Sequence, residues 1–262
     1  MKRADYTSIK ELVTAVPVPE QTKTYKPVSN AQLIDLTLEG IHGAGFNLDQ
    51  ETYLLASDGQ VATGKFTLSN VQDSEMQIQI AWQNSYNRMV SLKFAIGVRV
   101  FVCENGCVSG DMGTFKKKHQ GTIQEFTPTA ISEYIKSAGD AFREMQIQRE
   151  LMKQIDLTKR QQGELLGRMV FEEEIISTMQ LNIIRKELAK PSFDYGVQDT
   201  LWDIYQHTTH AMKDVHPGSW MSDHMSAHSF FVNAQGELVT GNSKPATISV
   251  APVNYQQLEL SL

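Results

Sequence analysis

The chain has 262 residues, 41% hydrophobic and 21% charged, a balance that excludes fibrous, collagen-like and disordered chains and allows one large domain or two small ones. Its 24 Lys and Arg against 30 Asp and Glu leave a formal net charge of −6, which argues against a protein held on nucleic acid by bulk charge alone. No apolar run approaches the roughly 20 residues that cross a bilayer, and MKRADYTSIKELV is charged where a secretory signal would be apolar, so the expectation is a cytoplasmic protein without a membrane span.

Residues 1–30, with Pro17, Pro19 and Pro27 spread through polar sequence, read as an extended arm outside the packed core, with a short helix near Ser8–Val13. Such an arm is suited to wrapping a neighbour. Residues 31–126 read as one helix followed by a sheet. Ser29 or Asn30 caps AQLIDLTLEGIHGAG, in which Leu33, Leu36 and Ile41 make an apolar stripe that Gly43 and Gly45 end. From Phe46 the hydrophobic period falls to two. ETYLLAS, the Asp58-Gly59 turn, VATGKFTLS, EMQIQIAWQ and SLKFAIGVRVFVC predict four strands, joined closely enough to form an antiparallel meander. In the third, Met76, Ile78, Ile80 and Trp82 alternate with Gln77, Gln79 and Ala81, which predicts one core face and one face turned to solvent or a partner.

Thr127-Pro128 opens a helical region that runs to Lys190. One unbroken rod would exceed about 90 Å, so the region must break, and Gly139, Gly163 and Gly167 are the candidate positions. Leu165, Met169, Ile176, Met179 and Ile183 fall near one face, a stripe for packing or self-association. In 191–262, Pro191 ends the helix, Asp199 caps TLWDIYQHTTHAMKDV, HSFFVNAQGELVT reads as a short hairpin and the tail from Gly241 lies extended. The fold class is therefore α+β: an antiparallel meander preceded by one helix and followed by long helices, with a small C-terminal region of helices and a hairpin.

Charge is uneven along the chain: −3 over 1–111, +3 over 112–168 and −6 over 169–262. The densest positive feature is Lys116, Lys117, Lys118 and His119, beside the last strand; successive lysines can neutralise successive phosphates. Arg88, Lys93 and Arg99 lie on or beside the same sheet and would extend the run into a strip, while Tyr86, Trp82 and Phe115 offer rings for unpaired bases. Cys103 and Cys107 are too few for a four-thiolate zinc site and read as thiols flanking an Asn105-Gly106 turn. His207, His210, His216, His224 and His228 crowd one region with Asp203, Asp214 and Asp223. His207, His210, His224 and His228 would be the ligands of any metal, but no established ligand motif is present. Walker, dinucleotide-binding and nucleophile-elbow motifs are absent from the sequence, and no cofactor is expected.

AWQNSYNRMVSLKFAIGVRVFVCENGCVSG resembles the phage/plasmid-like protein family known as domain of unknown function nine-three-two, through Asn84, Ser85, Gly97, Arg99, Cys103, Asn105 and Gly106. TLWDIYQHTTHAMK is similar to that family's late helix. The resemblance implies a cytoplasmic protein acting in phage or plasmid propagation. The order helix, meander, long helix is also similar to the core of single-strand annealing recombinases, which form rings and hold DNA in a basic groove. The leading expectation is thus a non-enzymatic, self-assembling protein that binds single-stranded DNA. The alternatives are a module that binds a host protein, supported by the acidic charge and proline-containing arms, and a metal-dependent nuclease or hydrolase built on the histidines.

Overall fold

Period-two sequence between Leu48 and Val100 forms the strands it predicts. The computed structural model describes residues 6–56, 58–69, 73–100, 106–108, 115–117, 128–213 and 215–241. Strands β2 (Leu48–Leu55), β3 (Val61–Leu68), β4 (Met76–Ser85) and β5 (Leu92–Val100) run antiparallel in chain order, with Gly59 at positive φ in the first turn. Strand β1 (Thr7–Ser8) adds to the free edge of β2, and β6 (Gly106–Val108) and β7 (Phe115–Lys117) both pair with β5, completing seven strands.

The N-terminal segment is part of the packed structure, contrary to the reading of a loose arm. Helix α1 (Lys10–Ala15) inserts Val13 into the main core. Tyr25 and Val28 are buried, and Asn84 donates from Nδ2 to the Val28 carbonyl at 3.0 Å and to Asn30 Oδ1 at 2.8 Å. Apolar side chains at these positions outweigh the extended character that the prolines impose. Ser29 caps α2 (Asn30–Gly43) as expected, its side chain accepting from the Gln32 amide at 3.0 Å.

Five helices follow the sheet before the C-terminal one: α3 (Pro128–Lys136), α4 (Ala138–Lys153), α5 (Lys159–Phe171), α6 (Thr178–Ala189) and α7 (Leu201–Ala211). None of the three predicted glycine breaks is used. Gly139 lies inside α4 and Gly163 and Gly167 inside α5, while the interruptions fall at Ser137, between Lys153 and Lys159, and between Phe171 and Thr178. The decisive signals are two capping boxes, Thr158 with Gln161 and Ser177 with Gln180, in which side chain and backbone satisfy each other reciprocally. Leu165 and Met169 are buried on α5, whereas Met179 is exposed on α6, so the predicted stripe is divided between two helices. Thr200, not Asp199, caps α7.

Residues 217–241 form one helix, α8 (Pro217–Gly241), where a hairpin was expected. Ala227, Phe231, Ala234 and Leu238 recur at helical spacing and meet the main core, and this burial overrides the Gly236 turn signal. The apolar face of the sheet, with Phe66, Ile80, Trp82 and Phe94, packs on the helices; α4 crosses β4 and β5, and α7 lies against α4, α6 and α8. Among the described residues no helix is long and apolar enough to cross a membrane.

Candidate nucleic-acid interface

The other face of the same strands is polar, because every second residue differs from its neighbours in kind. Register places Thr63, Gln83 and Lys93 side by side on β3, β4 and β5, and the row continues to Lys116 on β7. The next row holds Lys65, Ala81 and Ala95, the one beyond it Thr67, Gln79 and Gly97, and the last Gln77 and Arg99. The register brings two of the expected residues together, Lys93 on β5 with Lys116 on β7, with Lys117 opposite Leu92, while Arg99 shares the Lys93 face at the far end of β5. Lys118, His119 and Cys103 lie outside the described residues. Arg88 occupies the exposed bend between β4 and β5, at positive φ, with its guanidinium 4.2 Å from the Tyr25 ring centroid.

Two of the three rings expected to receive bases are taken up by the fold, and the side chain of the third, Phe115, lies outside the described ones. Tyr86 is buried and its hydroxyl accepts from the Asn30 amide at 3.0 Å, while Trp82 lies wholly inside the main core. Both rings are needed to anchor α2 and the sheet, so neither can receive a base. Asn84 and Ser85, which carry part of the family resemblance, are likewise structural: Ser85 Oγ donates to the Val90 carbonyl at 2.8 Å and closes the β4–β5 turn.

Of the two expectations for the polar face of β4, solvent or a partner, neither is what the fold does: a helix of the same chain lies on it. The first turns of α8 cover it, and all ten residues of β4 are buried. The Pro217 carbonyl accepts from Thr63 Oγ1 at 3.3 Å and from Gln83 Nε2. Trp220 and Met221 form a small apolar cluster with Leu54, Ala81 and Ala95. Lys65 Nζ stands 3.9 Å from the Trp220 ring centroid, a cation–π contact. Asp223 lies within the electrostatic influence of Lys93: burial holds its carboxyl above the usual range, against a Ser219 hydrogen bond and the attraction of Lys93. Sequence reading passed over Lys65, Gln83 and Trp220 and placed Asp223 only with the histidines, although Thr63, Lys65 and Thr67 already marked a polar face on β3.

Burial, with a smaller push from Lys213, lowers the Lys65 ammonium to about 7. Above that pH the folded chain has released a proton that the unfolded chain retains until about pH 10. Stability is therefore expected to rise with pH between about 7 and 10. Lys65→Met, which keeps the stem and removes the charge, should raise stability at pH 7 by about 2 kcal/mol and flatten that rise. Denaturant titrations of both proteins at pH 7 and pH 10 check this; parallel pH dependence would refute it.

The five histidines do not converge. His207 is wholly buried on α7 with Nε2 3.2 Å from Asp203, and His210 Nε2 stands 3.8 Å from Glu187. On α8, His224 packs against Trp220 and His228 Nδ1 lies 3.0 Å from the Tyr205 hydroxyl. His216 abuts Tyr6, and Asp214 lies outside the described residues. Among the described residues no three His, Cys, Asp or Glu side chains form a group able to hold a metal ion. These histidines line packed helix surfaces.

Fold and site together define an α+β protein whose antiparallel sheet carries a helical core on its apolar face and a single helix over a polar, lysine-bearing one. Residues 20–238 match the family described as "Domain of unknown function (DUF932)", and the chain belongs to that family. No curated protein and no solved structure matches it.

Proposed function

We propose that this is a cytoplasmic, non-enzymatic protein of phage or plasmid type that binds single-stranded DNA through the β5–β7 margin of the sheet and self-assembles on it. The observation that carries the reading is the register pairing of Lys93 with Lys116, with Lys117 next in β7, the exposed Arg88 in the bend before β5, and Arg99 on the same face farther along β5. With Tyr86 and Trp82 buried, recognition rests on the phosphate backbone and is tolerant of sequence. The order of helix, meander and crossing helix, similar to annealing recombinases, supports a role in strand annealing. Exposed Phe171 and Met179 offer apolar surface for self-assembly. The reading of a host-protein inhibitor loses part of its support, since Tyr25 and Val28 of the N-terminal segment are buried within the chain itself.

The triple variant Arg88→Ala/Lys116→Ala/Lys117→Ala is expected to bind a 40-nucleotide oligo(dT) about tenfold or more weakly near 100 mM salt, and to flatten the log–log salt slope by about 2. Fluorescence anisotropy across a salt series measures both, with thermal unfolding as the folding control. A folded variant with the affinity and salt slope of the parent would overturn the assignment. Light scattering with and without the strand tests assembly.

A further inference from the structure

The first turns of α8 are built unlike the rest of that helix. Residues Pro217–Met225 rest on the polar sheet face, whereas Ala227, Phe230, Phe231 and Ala234 are embedded in the main core and Glu237 pairs with Arg168 at 2.8 Å. Contact between the first turns and the sheet is small in apolar terms beside the main core: Leu54, Ala81, Ala95, Trp220 and Met221 form a buried cluster of five among the described residues, with Tyr6, Val215 and Met225 packed at its edge. What surrounds it is polar and incompletely matched. Gln83 Oε1 is buried without a hydrogen-bond partner, and Lys65 faces an aromatic ring where a carboxylate would neutralise it. The local sequence is also a poor helix former: Gly218, Ser219 and Ser222 lie within the segment and Ser226 just past its end, and its start carries no acidic residue in the first turn. Weak intrinsic helicity and few apolar contacts mark the low-stability end of a fold, where local opening occurs.

Beneath this segment lies Lys65, on the same sheet face as Lys93, which is the register partner of Lys116, and as Arg99 farther along β5. Lifting it would widen a basic margin into a basic face and take away Asp223, a carboxylate of the segment that attracts Lys93. We propose that Pro217–Met225 is an autoinhibitory cover: it occupies the basic sheet face in the free protein, and single-stranded DNA displaces it while the rest of α8 stays docked. This rests on the single-stranded DNA reading above and adds its regulation.

A cover that holds a fraction of molecules closed reduces apparent affinity by that fraction. Trp220→Ala, which removes the main anchor of the cover, is therefore expected to bind 40-nucleotide oligo(dT) about fivefold or more tightly. Ser222→Ala/Ser226→Ala, which favours the helical form, is expected to bind more weakly. In the unmodified protein, oligo(dT) should speed amide hydrogen exchange at 217–225 and leave 227–238 protected. Circular dichroism reports whether each variant folds, and the serine variant keeps the test decisive if Trp220→Ala does not. If the protein binds the strand but exchange at 217–225 is unchanged or slowed, the cover is wrong and the binding face stands. If neither the protein nor any folded variant binds, both ideas fall.

Discussion

Arg149→Ala is expected to destabilise the chain by about 3 kcal/mol, the cost of leaving a buried carboxylate without its cation. Asp73 and Arg149 are almost wholly buried side chains, joined at 2.7 Å between the turn before β4 and helix α4. Asp73 also accepts from Gln146 Nε2 at 2.7 Å and from the Glu75 and Met76 amides at 2.8 and 2.9 Å. Around it, Lys153 holds Glu75 at 2.6 Å and Arg149 meets Glu150 at 2.7 Å. The network fixes where α4 crosses the sheet, and so where the apolar face is closed. Burial alone would raise the Asp73 carboxyl, but the bonds from Arg149, Gln146 and the Glu75 amide outweigh it and hold it below the usual carboxylate range. Its contribution is thus complete above the unfolded value of about 3.9 and is lost as pH falls through the lower, folded one. The gap between parent and variant should accordingly be full at pH 7 and narrow below about pH 4, as read from denaturant midpoints. A gap that is independent of pH would mean that the ion pair is not its source.

Gly64→Ala is expected to cost about 2–3 kcal/mol although it adds a single methyl group. A Cβ at position 64 would stand 2.5–2.7 Å from Cε2, Nε1 and Cζ2 of Trp82, a ring that is fully buried and held between neighbours in the main core. Gly64 and Trp82 are register partners on β3 and β4, so glycine here makes room for the largest side chain of the sheet. Trp82→Leu would be destabilising by itself, yet Gly64→Ala should cost far less in that background than in the parent. A double-mutant cycle in urea measures this coupling, and additive effects would refute the steric account.

Local signals predicted the parts of the fold that depend on local physics. The Ser29 cap, the Asp58-Gly59 turn and the alternation of β2 to β5 are short-range features, and each appears where the sequence places it. The Thr158 and Ser177 capping boxes were equally legible; glycine was weighted above them, although an isolated glycine in a helix costs only about 1 kcal/mol and need not end it. The polar residues of β3 and β4 were legible as a face, as were Lys93, Arg99 and the lysines of β7 as a basic group.

What covers that face was not legible. Thr63 and Pro217 are 154 positions apart, and Lys65 and Trp220 slightly farther, so no periodicity or motif connects them. The same holds for Tyr86, whose ring could serve a base or a core equally well until α2 docks on it. By itself the sequence determined the α+β class, the order of β2 to β5, the Ser29 cap and the family, because hydrophobic period, turn chemistry and motif spacing act within a few residues. Only the tertiary structure decided that HSFFVNAQGELVT is helical, that the histidines disperse and that α8 lies over the lysine-bearing face. Those outcomes depend on which distant surfaces bury one another, a choice made by the summed packing of the whole chain.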